Sequence, residues 1–309
     1  MKKGIFAGVA LVLACATSVV AQERHAVPGQ DVAIYNLAGH VQVVAGSGSD
    51  VVVKVERGGS DASRLRIETG DIGGESTLRI VYPDDRVIYP EMGRRSNTTV
   101  RVRDDGTFND SGNRGRGSRV EVRGSGSGLE AWADLVIEVP KGKSVKVYVA
   151  AGQAEARGVS ADLRLDTGSG SVQASDIDGA LTVDTGSGSV TVSGVRGNLS
   201  VDTGSGSVEL KDITGETALI DTGSGGVRGG GVHASSLKVD TGSGSIDLDE
   251  LSVPDIVLDT GSGSVDIVLL TDVERLDIDT GSGGVTVRAP ENLGAQVELE
   301  TGSGSFDLG

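Results

Sequence analysis

The residues most able to do chemistry come as one repeated phrase. Asp166-Thr167-Gly168-Ser169-Gly170-Ser171-Val172 recurs with its acid at Asp184, Asp202, Asp221, Asp240, Asp259, Asp279 and Glu300, in steps of 18, 18, 19, 19, 19, 20 and 21 residues. Asp-Thr-Gly-Ser is also the motif around an aspartic protease carboxylate, and Ala218-Leu219-Ile220 supplies the apolar lead-in to Asp221. That chemistry needs only two carboxylates, face to face across a substrate cleft and sharing a proton. Eight copies in register are explained more simply by stacking.

Calcium is the other chemistry that repeated Gly and Asp suggest. Calcium-binding repeats place Asp in a nine-residue phrase, so that several hard oxygens converge on each ion. Here one acid per longer repeat leaves few ligands per site. The eight acids are therefore read as a weak cation ladder, with calcium its only candidate ion and no cofactor otherwise. His25, His40 and His233 stand apart, which leaves a histidine metal cluster or a Ser-His-Asp triad without support. No Gly-rich stretch continues into the Lys-Ser/Thr of a phosphate loop.

A second group is basic. Arg94, Arg95, Arg101, Arg103, Arg114, Arg116, Arg119 and Arg123 fall in a loop-rich segment that has no Lys between residues 86 and 123. Planar guanidinium forks suit phosphate or carboxylate. The segment reads as a flexible, solvated insertion at about residues 84–128. Two sharper readings stay open: a patch for anionic glycans, and a dock for the acidic array of its own or another copy. Val100-Arg101-Val102 and Val120-Glu121-Val122 could pair as a hairpin within it. Trp132 reads as a packing residue.

The elements that position these groups are short strands. Leu163, Leu165 and Thr167 point one way, Arg164 and Asp166 the other, and Val172 and Ala174 point inward again after the Gly-Ser-Gly turn. No repeat can bury its apolar side alone, but stacked copies can. The fold predicted is all-β: a parallel β-helix or solenoid of about eight coils of 18–21 residues over residues 141–309. Its handedness is predicted right-handed, from the usual hand of parallel crossovers. An irregular β section over residues 22–140 precedes it. Thr hydroxyls are expected to bond along the stack, and the corner glycines to adopt left-handed backbone. Val149-Ala150-Ala151-Gly152 looks like a worn first copy of the phrase. Phe306, in the Val172 position of the last copy, is expected to plug the C-terminal end. An unplugged end invites self-association.

Composition agrees with a thin core. Among 309 residues, 49 are Gly and only 3% are aromatic, so large side chains cannot fill a wide interior. Residues 161–309 hold 25 acids and 7 bases, and thus carry all the excess of a net charge of −16. Such a surface repels nucleic acid and anionic lipid. Lys2, Lys3 and the apolar run Ile5 to Val20 read as a signal peptide over residues 1–21, and hence as export to the periplasm, outer surface or medium. No transmembrane span is expected in the mature chain. Cys15, the single cysteine, lies inside this segment, where a lipobox with a lipid anchor is the alternative.

Three features together resemble a bacterial family of exported β-strand-repeat domains of unknown function, named putative adhesins. They are Ile34-Tyr35-Asn36-Leu37-Ala38-Gly39-His40-Val41-Gln42-Val43, then Val139-Pro140-Lys141-Gly142 before Val145-Lys146-Val147, and the Thr-Gly-Ser-Gly-Ser-Val repeat. The resemblance covers residues 30–309. It implies a β-helix-like fold and an envelope or surface location, and it supplies no ligand and no catalytic residue. The function expected is a non-enzymatic structural or adhesive surface module with a cell-surface glycan or envelope protein as partner. The alternatives are a periplasmic scaffold or sensor that binds a protein or an anionic glycan, and a polysaccharide-active β-helix enzyme.

Overall fold

The computed structural model describes residues 22–109, 117–291, 296–301, 303 and 306–308. Residues 1–21, read from the sequence as a signal peptide and holding Cys15, lie outside the described residues, as do Arg114 and Arg116.

Two long sheets face each other across a thin core. Each phrase-bearing coil gives one strand to each sheet, as Leu199–Thr203 and Val208–Thr214 do. Strands before the Gly-Ser-Gly corner stack in parallel as the Asp sheet, with Asp184 over Asp202 and Thr185 over Thr203. Strands after the corner stack as the opposite sheet, with Val190 over Val208 and Val195 over Ile213. Alternation along each strand decides what faces in. In one coil Leu199, Val201, Val208, Leu210 and Ile213 are all buried. Each such side chain contributes about 1.5–3 kcal/mol, an upper figure because unfolded chains are partly collapsed. The eight phrase-bearing coils form the β-solenoid expected, preceded by an irregular β section.

The parallel stack starts before the phrase does. Ser144–Ala151 and Ala154–Arg157 form a coil without the phrase, beneath the one at Asp162–Ser169. Asp31–Ala38 and Val41–Ala45 form another beneath that. The chain thus builds one coil, leaves at Ala45, comes back along Trp132–Val139 in parallel with Val41–Ala45, and from Ser144 stacks the next coil on the first. Antiparallel strands close this end. Val51–Gly58 pairs antiparallel with Trp132–Val139 beside the opposite sheet. Arg66–Ile72 pairs antiparallel with Glu75–Val81 beside the Asp sheet.

The described residues of the segment read as a flexible insertion, with Leu129–Glu130, hold a third sheet. Its order is Leu129–Glu130, Arg86–Ile88, Ser118–Arg123, Asn97–Val102, with Val100 opposite Val120 in the antiparallel pair. We call it the cover sheet. Its inner face, with Val87, Tyr89, Val100, Val120 and Val122, packs with Phe108 on Ala33, Tyr35, Leu37, Tyr148 and Ala150 of the first two coils. The glycine-rich loops hid a second core.

The corner glycines work differently from the expectation. Gly206, Gly225, Gly244 and Gly263 do not hold left-handed backbone. A Cβ on each would lie 1.8–2.0 Å from the carbonyl oxygen of the equivalent glycine one coil earlier. Close approach of stacked backbones, not φ, excludes side chains there. Left-handed residues form their own row at a bend in the opposite sheet: Gly158, Asp176, Gly194, Asp212, Gly231 and Glu250, with φ of 65°, 55°, 63°, 54°, 70° and 52°.

Candidate functional site

The inward half of the phrase is structural. Thr222 Oγ1 donates to the Gly206 carbonyl of the previous coil at 3.0 Å and accepts from the Gly225 N–H of its own corner at 3.1 Å. The same pair of bonds recurs at Thr241, Thr260 and Thr280. These hydroxyls are buried, so each satisfies a polar group on two successive coils that water cannot reach. In the first coil Asn36 takes this place in the register and bonds to the carbonyls of Ala38 and Ala133.

The outward half forms one row. Tyr35, Tyr148, Asp166, Asp184, Asp202, Asp221, Asp240, Asp259, Asp279 and Glu300 follow one another in register. Glu300 and Phe306 are placed by backbone register, and their side chains lie outside the described ones. The row changes character along its length. Tyr35 and Tyr148 stack with centroids 4.7 Å apart under the cover sheet. Asp166 is the first carboxylate and is 5% exposed. Asp202, Asp221, Asp259 and Asp279 lie in solvent, and Asp184 and Asp240 are half-buried.

Charge along the row is only partly offset. Arg164 Nη2 bridges two rungs, at 3.3 Å from Asp166 Oδ2 and 3.0 Å from Asp184 Oδ2. Asn109 Nδ2 donates to Asp166 Oδ1 at 3.1 Å. Burial, then the neighbouring Asp184, push the Asp166 carboxyl up to about 6 despite these partners. Partial burial and then the rungs on either side also raise Asp202 and Asp259. Neighbours about 4.8 Å apart repel by roughly 1 kcal/mol in water. Beyond Arg164 the residue beside the Asp is Thr182, Ser200, Leu219, Lys238 and Val257 in turn. A shallow depression of about 290 Å³ opens there, lined by Ser200, Asp202, Leu219, Asp221, Lys238 and Asp240.

The carboxylates are therefore stacked on an outer surface, and do not face each other as a proteolytic pair must. Among the described residues no three His, Cys, Asp or Glu side chains converge as a metal site. At the head of the row the bridging cation is an arginine.

The arginines divide. Arg101 and Arg119 are cross-strand partners on the outer face of the cover sheet, and Arg123 shares that face. Arg94 and Arg95 lie in an exposed turn that leads into Asn97–Val102, where the Arg94 carbonyl accepts from Ser125 Oγ at 2.7 Å. Arg103 turns aside to bond Thr107 Oγ1 at 2.6 Å. Arg86, outside the sequence-based set, joins the outer face opposite Glu121. Its place could be read only once Arg86–Ile88 was known to pair with Ser118–Arg123. Glu130 on the edge strand shares the face, and Glu121 lies among the arginines. Its bond to Arg123, at 2.7 Å, with Arg86 and Arg119 nearby, holds its carboxyl below the usual range.

The chain belongs to the Toastrack DUF4097 family, whose model matches residues 93–309. No curated protein matches it. Among solved structures it is similar to a putative adhesin from Parabacteroides distasonis ATCC 8503, at 13% identity and a TM-score of 0.48, over 93% of this chain and 95% of that one. A putative adhesin from Parabacteroides merdae ATCC 43184 is similar at 13% identity and a TM-score of 0.44, over 94% and 97%. A putative cell adhesion protein from Clostridium sporogenes ATCC 15579 follows at 10% identity and 0.30, over 75% and 99%. Among the described residues no helix is long and apolar enough to cross a membrane.

Proposed function

We propose that the chain is a non-enzymatic, exported surface module whose adhesive contact face is the exposed carboxylate row from Asp184 to Asp279. One observation carries this reading: the row stays in register through coils of differing length, although each added rung repels its neighbours. Stacking needs the Thr and the Gly of each phrase, whereas the outward acid makes no comparable bond to the backbone. A cationic partner would relieve that repulsion on contact. The basic start and apolar run of residues 1–21 support export. A scaffold role is the second reading. The outer arginines of the cover sheet support it, as a dock for an anionic glycan or protein.

The test replaces Asp202, Asp221, Asp240 and Asp259 together by Asn and compares retention of the mature chain on washed bacterial cells. The wild type is retained, and the variant, equally folded by circular dichroism, is lost as it is under high salt. Equal retention of both overturns the reading. Turnover of any polysaccharide by the wild type overturns its non-enzymatic part.

A further inference from the structure

We propose that the cationic partner of the carboxylate row is a second copy of this chain. In this arrangement the arginine-bearing cover of each copy sits on the exposed row of the other, about a two-fold axis. The proposal rests on the reading of the row as the contact face, and it names what that face contacts.

Three observations lead there. The first is charge. Arg86, Arg101, Arg119 and Arg123 share the outer face of the cover sheet with two acids among the described residues, Glu121 between them and Glu130 on the edge strand opposite Ile88. The exposed rungs from Asp202 to Asp279 have only Lys238 among the residues directly beside Asp202, Asp221, Asp240 and Asp259. Each surface lacks what the other presents. Arg101 and Arg119 are exposed, and among the described residues their hydrogen bonds are long, to the Gly117 carbonyl at 3.4 Å and Thr99 Oγ1 at 3.5 Å, so little of this must be broken to redirect them.

The second is placement. The cover sheet lies on the outer side of the Asp sheet, over the coils at 31–45 and 144–157, and reaches the third coil through Asn109. Its arginine face and the bare row therefore look out from the same side of the molecule. Packed sheets stand about 10 Å apart, so the cover rises as a step above the row. A raised basic end beside a lower acidic stretch is complementary to itself when one copy is turned by 180°, as an isologous contact requires. The exposed row from Asp184 to Asp279 runs about 24 Å, and four cover strands span about 14 Å, so each cover fits within the other's row.

The third is a precedent within the chain. Arg164 already bridges two successive rungs with one guanidinium. Cover strands repeat at the same spacing of about 4.8 Å as the rungs, so Arg119 and Arg101, cross-strand partners on adjacent strands, can repeat that bridge from outside, with Arg86 two residues along, opposite Glu121.

Sedimentation equilibrium of the mature chain tests this. A dimer is expected at low salt, with its Kd rising at least about tenfold between 0.05 and 0.5 M NaCl. Arg101→Glu/Arg119→Glu and Asp221→Arg/Asp240→Arg are each expected to be monomeric, with unchanged circular dichroism. Mixed one to one, they are expected to form a heterodimer, since reversed cover then meets reversed row and native cover meets native row. Arg101, Arg119 and Asp221 are exposed and Asp240 is half-buried, and Arg101→Gln/Arg119→Gln gives a neutral control that should weaken the dimer. A wild type that stays monomeric at low salt overturns the proposal, as does a mixture that fails to associate. Binding of a polyanionic glycan to the arginine face of a monomeric wild type overturns it in favour of the scaffold reading. Loss of cell retention in the fourfold Asn variant, with a monomeric wild type, leaves the row as a contact face and removes only the second copy as its partner.

Discussion

Asn109 reaches from the cover to the solenoid and donates its side-chain amide to Asp166 at 3.1 Å. This bond marks where the outward row passes from covered to bare. Asp202, two rungs on, carries the same residue type in solvent, whereas Asp166 is buried beneath the cover and beside Arg164.

A pH dependence follows from that burial. The Asp166 carboxyl is raised from 3.8 to about 6. Between those values the folded chain holds a proton that the unfolded chain has released. This group's contribution to stability is therefore greatest below about pH 4, falls as pH rises towards 6, and stays low above it. Two pKa units correspond to at most about 3 kcal/mol. Asp166→Asn keeps an acceptor for Asn109 and leaves Asp184 to pair with Arg164. It should be more stable than the wild type at pH 8 and level with it near pH 3.5, as read from urea midpoints. An advantage that did not shrink in acid would show that burial of the charge is not its cause.

The threonine row gives an ordering of two substitutions. Thr222→Val keeps the shape but leaves the Gly206 carbonyl and the Gly225 N–H without their partner. Each orphaned buried group costs about 1–3 kcal/mol. Thr222→Ser keeps both bonds and loses one methyl, about 0.8 kcal/mol. Chemical denaturation should therefore rank Ser above Val. The reverse order would mean that methyl packing, not the hydroxyl, holds the coils in register.

Much of this was legible in residue types. Strict alternation placed Leu163, Leu165 and Thr167 inward and Asp166 outward, and the period of 18–21 residues implied stacked coils. Two things were not legible. Asp31–Ala45 carries no copy of the phrase, because Asn36, with Tyr82 as donor at 2.8 Å, does the work of Thr by a different bond. The cover was hidden because Tyr35, Tyr148, Tyr89 and Phe108 lie far apart in the chain and make a core only when the coils bring them together. Glycine composition in residues 84–128 spoke for loops. Val87, Val100, Val120 and Val122, at alternate places between those loops, were the signal for a buried face.

The corner has a built-in comparison. A Cβ on Gly225 would meet the Gly206 carbonyl oxygen at 1.9 Å, whereas one on Gly226 meets the Ser245 carbonyl oxygen at 3.2 Å, and other copies hold Ser at that place. Gly225→Ala forces two backbones apart and should cost about 3 kcal/mol or more, while Gly226→Ser should stay within about 1 kcal/mol. Thermal melting of the two variants checks this. Equal losses would show that the corner can open, and that close stacking is not what selects glycine.

The cover and the solenoid should also separate energetically. Tyr148 stacks on Tyr35, and Tyr35 meets Phe108 edge-on at 5.7 Å. Tyr148→Ala removes the ring beneath the cover, at a cost of about 3–5 kcal/mol by analogy with other buried aromatics. The inward neighbours Val147 and Val149 remain in the core between the two long sheets. In a stacked repeat the loss should stay near its source, because each coil contacts only its neighbours. Amide exchange should rise at Asn97–Val102 and Ser118–Arg123, and the depressed Glu121 carboxyl should move towards its ordinary value as the arginines around it disperse. Exchange at Leu199–Thr203 and Leu258–Thr260 should stay as in the wild type. If those distant strands exchanged faster by the same factor, the cover and the array would unfold as one unit, and the cover would have to be counted as part of what holds the array together.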